Sequence, residues 1–463
     1  MIVLTYCRTD ASSIETSLGG ADYSYYFVFK QYLRALRKIA TVIDVGDSID
    51  KISFYYSTSL ARGEECVCLV FSPPHKIDER IQCPIIPVFA WEYDALPNNL
   101  LGGQEQDWRW CLAKQGWAIT HSEYAVTGVK NAIRSDFPVV SIPSPVWDES
   151  QAYVRAQAPA MPKSFRLGYS GFVLDSAQID LTAFAPDLWQ DSILGVLERS
   201  TEKSDVDIEV SGVVYLSVFN PDDLRKNWSD MLRAFCWQFK DVADVTLVWK
   251  ITHTDVQPFL RAFMREIFRL SDFSCRVIVV HGYLDDDAYA RLIKNSDFVV
   301  NASHGEGQCL PLMEGMSAGK PAISPIHTGM ADYVTAENSF IVASDVEPGF
   351  WPHDPRQSLR TFQYRIDWGS LCRAFDASYL LIKDRPEDYK QMSLAVRESM
   401  RLHCSVEVVA GKLKQFLAMR AQGYRVYDRE WAAQSYTILQ RLLQKTRPLK
   451  RKLFGANHIK ENV

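Results

Sequence analysis

No apolar run in this chain approaches the roughly 20 residues of a membrane-spanning helix, so an integral helical membrane protein is not expected. Basic charge is not in excess either. Against 51 Lys and Arg stand 56 Asp and Glu, a net charge of −5, which argues against binding nucleic acid through a broad basic face. The ten cysteines contain no CxxC pair, which removes the commonest zinc and redox signatures. Cys66 and Cys68 alternate within a strand-like run and share a face, without making a metal motif by themselves. Buried free thiols in a reducing compartment are the expectation. The start, Met-Ile-Val-Leu-Thr-Tyr-Cys, has no basic segment ahead of a long apolar one, so no secretory signal and a cytoplasmic location are expected.

What is present is an ordinary globular composition, 47% hydrophobic and 23% charged, in a chain of 463 residues that exceeds what one core usually organises. Two domains follow as the default. Short β-branched runs alternate with amphipathic stretches, a grammar that predicts parallel sheets covered by helices on both faces. In the first half the strands are 2–6, 40–44, 67–71, 85–91, 117–121 and 139–142, with helices over 23–37, 104–114 and 124–134. The second half repeats this with strands at 213–219, 245–251, 276–280, 298–301, 321–324 and 340–342 and helices over 228–239, 256–270, 286–294 and 310–318. Between them, 143–209 is proline-bearing and charge-rich and reads as a linker with an irregular insertion. Helical spacing resumes over 366–382, 386–402, 406–420 and 429–445. The expected division is 1–145, 146–210, 211–400 and 401–463. Two such domains face each other across a cleft at the carboxyl ends of their strands, where ligands bind in this fold class.

Residues 303–321 read Ser-His-Gly-Glu-Gly-Gln-Cys-Leu-Pro-Leu-Met-Glu-Gly-Met-Ser-Ala-Gly-Lys-Pro. A buried strand, a glycine-bearing turn and a helix start are expected here, with Glu306 before the turn and Glu314 inside the helix. Free N–H groups and the positive dipole end at such a start favour a bound phosphate. The two carboxylates are suited to hydroxyls instead, such as those of a sugar or a ribose. Taken alone, the segment is also compatible with an ordinary turn carrying two solvent-facing glutamates.

The run Glu306-Gly-Gln-Cys-Leu-Pro-Leu-Met-Glu314 resembles the E-x7-E signature of retaining GT-B glycosyltransferases, especially glycosyltransferase family 4. The following Met316-Ser-Ala-Gly319-Lys-Pro321 is similar to the continuation found there. The likeness covers the second half and, more loosely, the first. It implies a GT-B architecture of two Rossmann-like domains, with Glu314 on the ribose hydroxyls and Glu306 on the transferred sugar. Gly307, Gln308, Cys309 and Leu310 would lie against the sugar and pyrophosphate. Cys309 departs from the family, which usually has glycine there, and a Cβ narrows the turn. A nucleophilic role for Cys309 is rejected, because nothing near it in sequence marks a lowered pKa.

Phe219-Asn-Pro-Asp-Asp-Leu-Arg225-Lys226-Asn227-Trp228 sits where the family carries a basic pair that neutralises diphosphate. Lys226 matches the family lysine. Asn220 stands near the place of the usual arginine, so Arg225 or Lys250 supplies the second charge. Fixed cations lower the barrier to a departing nucleoside diphosphate without a metal. Gly282, Tyr283 and Leu284 resemble the loop whose backbone meets the nucleotide base. Asp285–Asp287 are read as a helix start rather than a metal cluster. In the first half Gly19 and Gly20 resemble the loop over donor phosphates and acceptor. Glu92 is the candidate for positioning the acceptor, with a structural salt bridge as the competing role. Ser122 reads as a helix cap, and His304 and His327 as packing or hydrogen-bonding residues.

The expectation is a retaining, metal-independent glycosyltransferase without cofactor, taking a nucleotide-sugar donor and a saccharide or lipid-linked glycan acceptor. Residues 441–460 hold seven Lys or Arg and no acid, which suits peripheral contact with an anionic leaflet. A sugar-nucleotide epimerase or hydrolase of the same fold, or a non-catalytic GT-B-like subunit, stays open as an alternative.

Overall fold

The computed structural model describes residues 1–9, 21–98, 102–154, 164–179, 204–354 and 356–421. Gly19 and Gly20, the basic stretch 441–460, the helix expected over 429–445 and parts of 143–209 lie outside them.

The first domain is a six-stranded parallel sheet in the order β2-β1-β3-β4-β5-β6. Its strands are β1 (Ile2–Cys7), β2 (Thr41–Gly46), β3 (Cys66–Phe71), β4 (Ile85–Val88), β5 (Ala118–Thr120) and β6 (Val139–Ser141). β3 reads Cys-Val-Cys-Leu-Val-Phe and is buried throughout, as expected of a parallel strand covered on both faces. The helices are α1 (Ala21–Leu36), α2 (Ile49–Ala61), α3 (Trp108–Gln115), α4 (Glu123–Ala132) and the short α5 (Trp147–Ser150). α4 starts as predicted, with the Ser122 side chain accepting from Ala125 N at 3.2 Å.

α2 has no counterpart in the sequence expectation. Its Ile-Asp-Lys-Ile-Ser-Phe-Tyr-Tyr-Ser-Thr-Ser-Leu-Ala is poor in strong helix formers. Ser53, Ser57, Thr58 and Ser59 turn their hydroxyls back onto the carbonyls four residues earlier, at 2.7 to 3.1 Å. The Ser48 cap and Asp50 in the first turn were its available signals.

The second sheet runs β14-β13-β12-β9-β10-β11-β7-β8. Its parallel body is β9 (Val213–Phe219), β10 (Val245–Ile251), β11 (Arg276–His281), β12 (Phe298–Val300), β13 (Ala322–Pro325) and β14 (Ser339–Val342). Helices α6 (Trp228–Gln238), α7 (Gln257–Leu270), α8 (Asp286–Asn295) and α9 (Leu310–Ser317) connect them. The irregular insertion expected over 146–210 needs correction. Its described part contains β7 (Ser164–Asp175) and β8 (Ser204–Ser211), an antiparallel pair that extends the sheet from β11. Gly168 and Gly171 interrupt the apolar pattern of β7, and the partner strand is distant in sequence, so local patterning could not reveal the pair.

A second unexpected pair, β15 (Ser344–Phe350) and β16 (Arg360–Ile366), forms an antiparallel ribbon of its own. Then follow α10 (Trp368–Asp384), α11 (Pro386–Cys404) and α12 (Val406–Ala421). α12 returns to the first domain, where Val409, Leu413 and Phe416 join the core and Phe416 meets Trp117 edge-on at 5.6 Å. Among the described residues no helix is long and apolar enough to cross a membrane, and no group of His, Cys, Asp and Glu is arranged to hold a metal ion.

Candidate active site between the two sheets

The carboxyl end of β9 leads into a turn held by its own side chains. Asn220 accepts from Asp222 N at 3.1 Å, and Asp223 caps the single helical turn Leu224–Lys226, accepting from Arg225 N at 3.3 Å. That turn aims Arg225 and Lys226 at the strand–turn–helix between β12 and α9. The Lys226 ammonium lies 2.6 Å from Glu306 Oε1, and Arg225 Nη1 donates to Glu306 Oε2 at 2.9 Å and to the Gly305 carbonyl at 2.8 Å. Arg225 Nε stands within ion-pair distance of Asp223 (2.8 Å) and of Glu92 (3.2 Å) in the first domain. One guanidinium thus joins three carboxylates from three chain segments.

The electrostatics follow from this crowding. Burial alone would raise the Glu306 carboxyl, but Lys226 and Arg225 overrule it and hold it at about 2. Burial works against the Arg225 charge and is outweighed by Asp223, Glu92 and Glu306. Glu92 is raised above the usual carboxylate range by burial, against the pull of Arg225.

The Glu306 backbone is equally fixed, its N–H donating to Thr328 Oγ1 and its carbonyl accepting from Gly329 N, both at 2.9 Å. A Cβ on Gly329 would lie 2.4 Å from the Gly307 carbonyl, and one on Gly307 would lie 3.1 Å from Ala90 Cβ in the first domain. These glycines let the donor loop pass between two walls. Gln308 spans the domains: its amide accepts from Ser144 N at 3.1 Å and donates to Ser144 Oγ at 3.0 Å. The Gln308 carbonyl is taken by the Tyr333 hydroxyl at 2.9 Å.

Cys309 adopts the left-handed conformation at φ +56 that its position demands and that glycine takes at less cost. Burial pushes its thiol up to about 12, far from a nucleophile's range. Leu310 opens α9, and Glu314 follows one turn later. The Tyr289 hydroxyl on α8 donates to Glu314 Oε2 at 2.7 Å. Burial raises the Glu314 carboxyl to about 7, with Tyr289 opposing and Glu149 adding to the rise.

Lys250, next to last in β10, is 5% exposed, and its ammonium makes no hydrogen bond or ion pair among the described residues. Burial lowers its ammonium to about 8. Gly282 has φ +139, and a Cβ there would meet the Ser170 carbonyl at 2.5 Å, so its form is set by β7 crossing above it. Leu284 is core, whereas Tyr283 is 39% exposed. Asp285 caps α8, accepting from Ala288 N at 2.8 Å. His304 Nδ1 lies 2.8 Å from the Tyr364 carbonyl, and His327 stacks on Tyr364 at 4.3 Å.

Glu306, Lys226, Arg225 and Glu92 therefore meet in one cluster, with Gly307 to Leu310 lining it and Glu314 one helical turn beyond. Lys250 is at the same sheet edge but outside the ion-pair cluster. Sequence reasoning missed Asp223, Thr328 and Tyr289, which orient Arg225, Glu306 and Glu314. Thr328 and Tyr289 are common residue types whose partners lie 22 and 25 positions away, whereas Asp223, two residues before Arg225, had a local signal as the cap of that turn.

Residues 225–350 match the family model for glycosyl transferases group 1, a span that contains the basic pair and both glutamates. No curated protein sequence matches the chain. A crystal structure of a glycosyltransferase from Rickettsia africae superposes with a TM-score of 0.51 at 12% identity, covering 90% of this chain and 97% of that one. Sucrose-phosphate synthase from Thermosynechococcus elongatus (TM-score 0.49, 12% identity, 91% and 100% covered) is a further similar structure. Another is Anabaena HepE in complex with UDP and glucose (0.48, 12%, 90% and 100%). The chain thus has the two-domain GT-B fold, and its residues 225–350 carry a glycosyl transferases group 1 segment.

Proposed function

We propose that the protein is a retaining, metal-independent glycosyltransferase that moves a sugar from a nucleotide-sugar donor to a hydroxyl of a saccharide or lipid-linked glycan. The observation that carries this reading is the convergence of Lys226, Arg225 and Glu306 at the facing sheet edges, with Glu314 one turn into the adjoining helix. In the reaction the bond from the anomeric carbon to the phosphate oxygen breaks, and its electron pair leaves with the diphosphate. Lys226 and Arg225 stabilise that developing charge. The acceptor oxygen bonds to the anomeric carbon on the same face, and its proton passes to the departing phosphate oxygen. Glu306 holds the sugar hydroxyls, Glu314 the ribose hydroxyls, and Glu92 orients Arg225 from the acceptor side.

Calorimetric titration with nucleoside diphosphates tests the donor site. Glu314→Ala is expected to weaken binding at least ten-fold, and unchanged binding would remove Glu314 from the nucleotide. The carboxyl at about 7 also sets a pH dependence. A ribose hydroxyl donates to the ionised form, so wild-type affinity rises with pH up to and through 7. The terminal phosphate titrates near 6 as well, and Glu314→Gln isolates that contribution. Between about pH 5.5 and 8 the wild type should gain on the order of ten-fold more affinity than this variant. Product analysis separates transfer from epimerisation or hydrolysis, which release a sugar or sugar nucleotide without an acceptor.

The basic stretch 441–460 extends the proposal to peripheral contact with an anionic leaflet facing the cytoplasm. The full chain should cosediment with vesicles containing anionic lipid and not with purely zwitterionic ones, and truncation before 441 should abolish this. Equal sedimentation with both vesicle types removes the electrostatic contact.

A further inference from the structure

The β15–β16 ribbon is amphipathic in an unusual sense. Its register pairs Val346 with Tyr364, Pro348 with Phe362 and Phe350 with Arg360, so these side chains share one face. The opposite face carries Asp345 with Arg365 and Glu347 with Gln363, the latter pair joined by a 2.9 Å hydrogen bond. The apolar face is open to solvent over much of its length: Val346 is 59%, Phe362 48% and Phe350 44% exposed. A contiguous exposed apolar patch of this kind marks a binding surface more often than chance.

Its location says what it would bind. At its inner end Tyr364 N donates to the His304 carbonyl at 3.0 Å, two residues from Glu306, and the Tyr364 ring stacks on His327 beside Thr328. On the first-domain side Asp94 accepts from Thr361 Oγ1 at 2.6 Å and from Phe362 N at 2.8 Å. Next to the ribbon Trp351 packs on Trp91 with centroids 5.7 Å apart. The ribbon is therefore tied to both domains at the edge of the catalytic cluster, and a molecule lying along it is led to Glu306.

We infer that the exposed face of β15–β16, centred on Phe350 and Phe362, is a stacking platform for the saccharide of the acceptor. This rests on the glycosyltransferase reading above. Phenyl rings offer flat apolar surfaces to the C–H faces of sugar rings, and stacking of this type tolerates variation in the stacked ring. Same-face positions along a strand repeat about every 6.8 Å, comparable to one hexopyranose unit, and Phe350 and Phe362 lie one such repeat apart along the ribbon on neighbouring strands, so the two rings match successive sugars. Arg360, exposed on the same face, supplies donors for sugar hydroxyls. The face has one arginine as its only cation, which favours a neutral glycan over an anionic lipid surface.

The test compares the full chain with Phe350→Ser/Phe362→Ser, two exposed changes that leave the core untouched. Binding of cellotetraose, maltotetraose and N-acetylchitotetraose is read by saturation-transfer NMR, and nucleoside diphosphate affinity by calorimetry. At least one tetrasaccharide is expected to bind the wild type, to weaken ten-fold or more in the variant, and to recover with Phe350→Tyr/Phe362→Trp. Diphosphate affinity should stay within two-fold throughout. If no tetrasaccharide binds, or if the variant binds equally well, the platform assignment is overturned while diphosphate binding still stands for the donor site. If diphosphates fail to bind and a tetrasaccharide still depends on the two phenylalanines, the donor reading falls and the platform survives. Vesicle binding that depends on them, with no saccharide bound, also overturns the assignment.

Discussion

Lys226→Ala is expected to lower the turnover of sugar transfer by about 10² to 10³, the usual cost of removing one preorganised group that stabilises developing charge. The two cations of the site are not equivalent. Arg225 is shared among Glu92, Asp223 and Glu306, whereas the Lys226 ammonium has Glu306 as its single ion-pair partner among the described residues. A group with one partner can redirect its charge to a diphosphate at less cost than one with three. Glu306 keeps Arg225 after the change, so no buried carboxylate is left unpaired and the loss of stability should be small. Transfer at saturating donor, followed beside a denaturation curve, separates the two effects. Lys226→Arg should restore part of the rate by supplying charge in a different geometry. Retention of transfer within three-fold in Lys226→Ala would falsify the assignment of this residue to the leaving group.

Glu306→Gln should move two quantities in opposite directions. Its carboxylate occupies the two cations on which the proposed diphosphate also depends. Removing the negative charge frees Lys226 and part of Arg225, so nucleoside diphosphate affinity should hold or rise. The contact to the transferred sugar is lost, and turnover should fall by roughly 10² or more. Single-turnover transfer and calorimetry on the same preparation read both. A parallel fall of the two would place Glu306 on the nucleotide instead of the sugar.

The same residue carries an acid-stability prediction. Its folded pKa of about 2 lies below the ordinary 4.5, so it contributes stability that is present above the unfolded value and lost as pH falls toward 2. The contribution is on the order of 3 kcal/mol. Glu306→Gln should be less stable than wild type at neutral pH, and its stability should fall less steeply between about pH 4.5 and 2. Urea denaturation at several pH values checks this.

The parallel bodies of both sheets are legible in the sequence because each strand is a short, nearly continuous apolar run. Val213–Phe219 and Val245–Ile251 appear in the sequence with the limits they have in the fold. The elements that escaped notice had weak local signals. α2 is built from serine, threonine and aromatics. β7 and β8 are partners far apart in sequence, and β15 and β16 bear apolar side chains on a solvent face, where alternation says nothing about a core.

By itself the sequence determined the alternating α/β pattern, the strand–turn–helix that holds Glu306 and Glu314, and the basic pair Arg225–Lys226 after a strand end. Each depends on residues within a few positions of one another, where spacing and helix or strand periodicity decide geometry. Only the tertiary structure decided that Lys226 and Arg225 close on Glu306, that Glu92 reaches Arg225 from the other domain, and that Tyr289 binds a Glu314 whose proton titrates near neutrality. Those are relations of distance and burial between segments far apart in the chain. A carboxylate's charge and pKa depend on which cations face it and how much water is excluded, and neither is fixed until the two sheets meet.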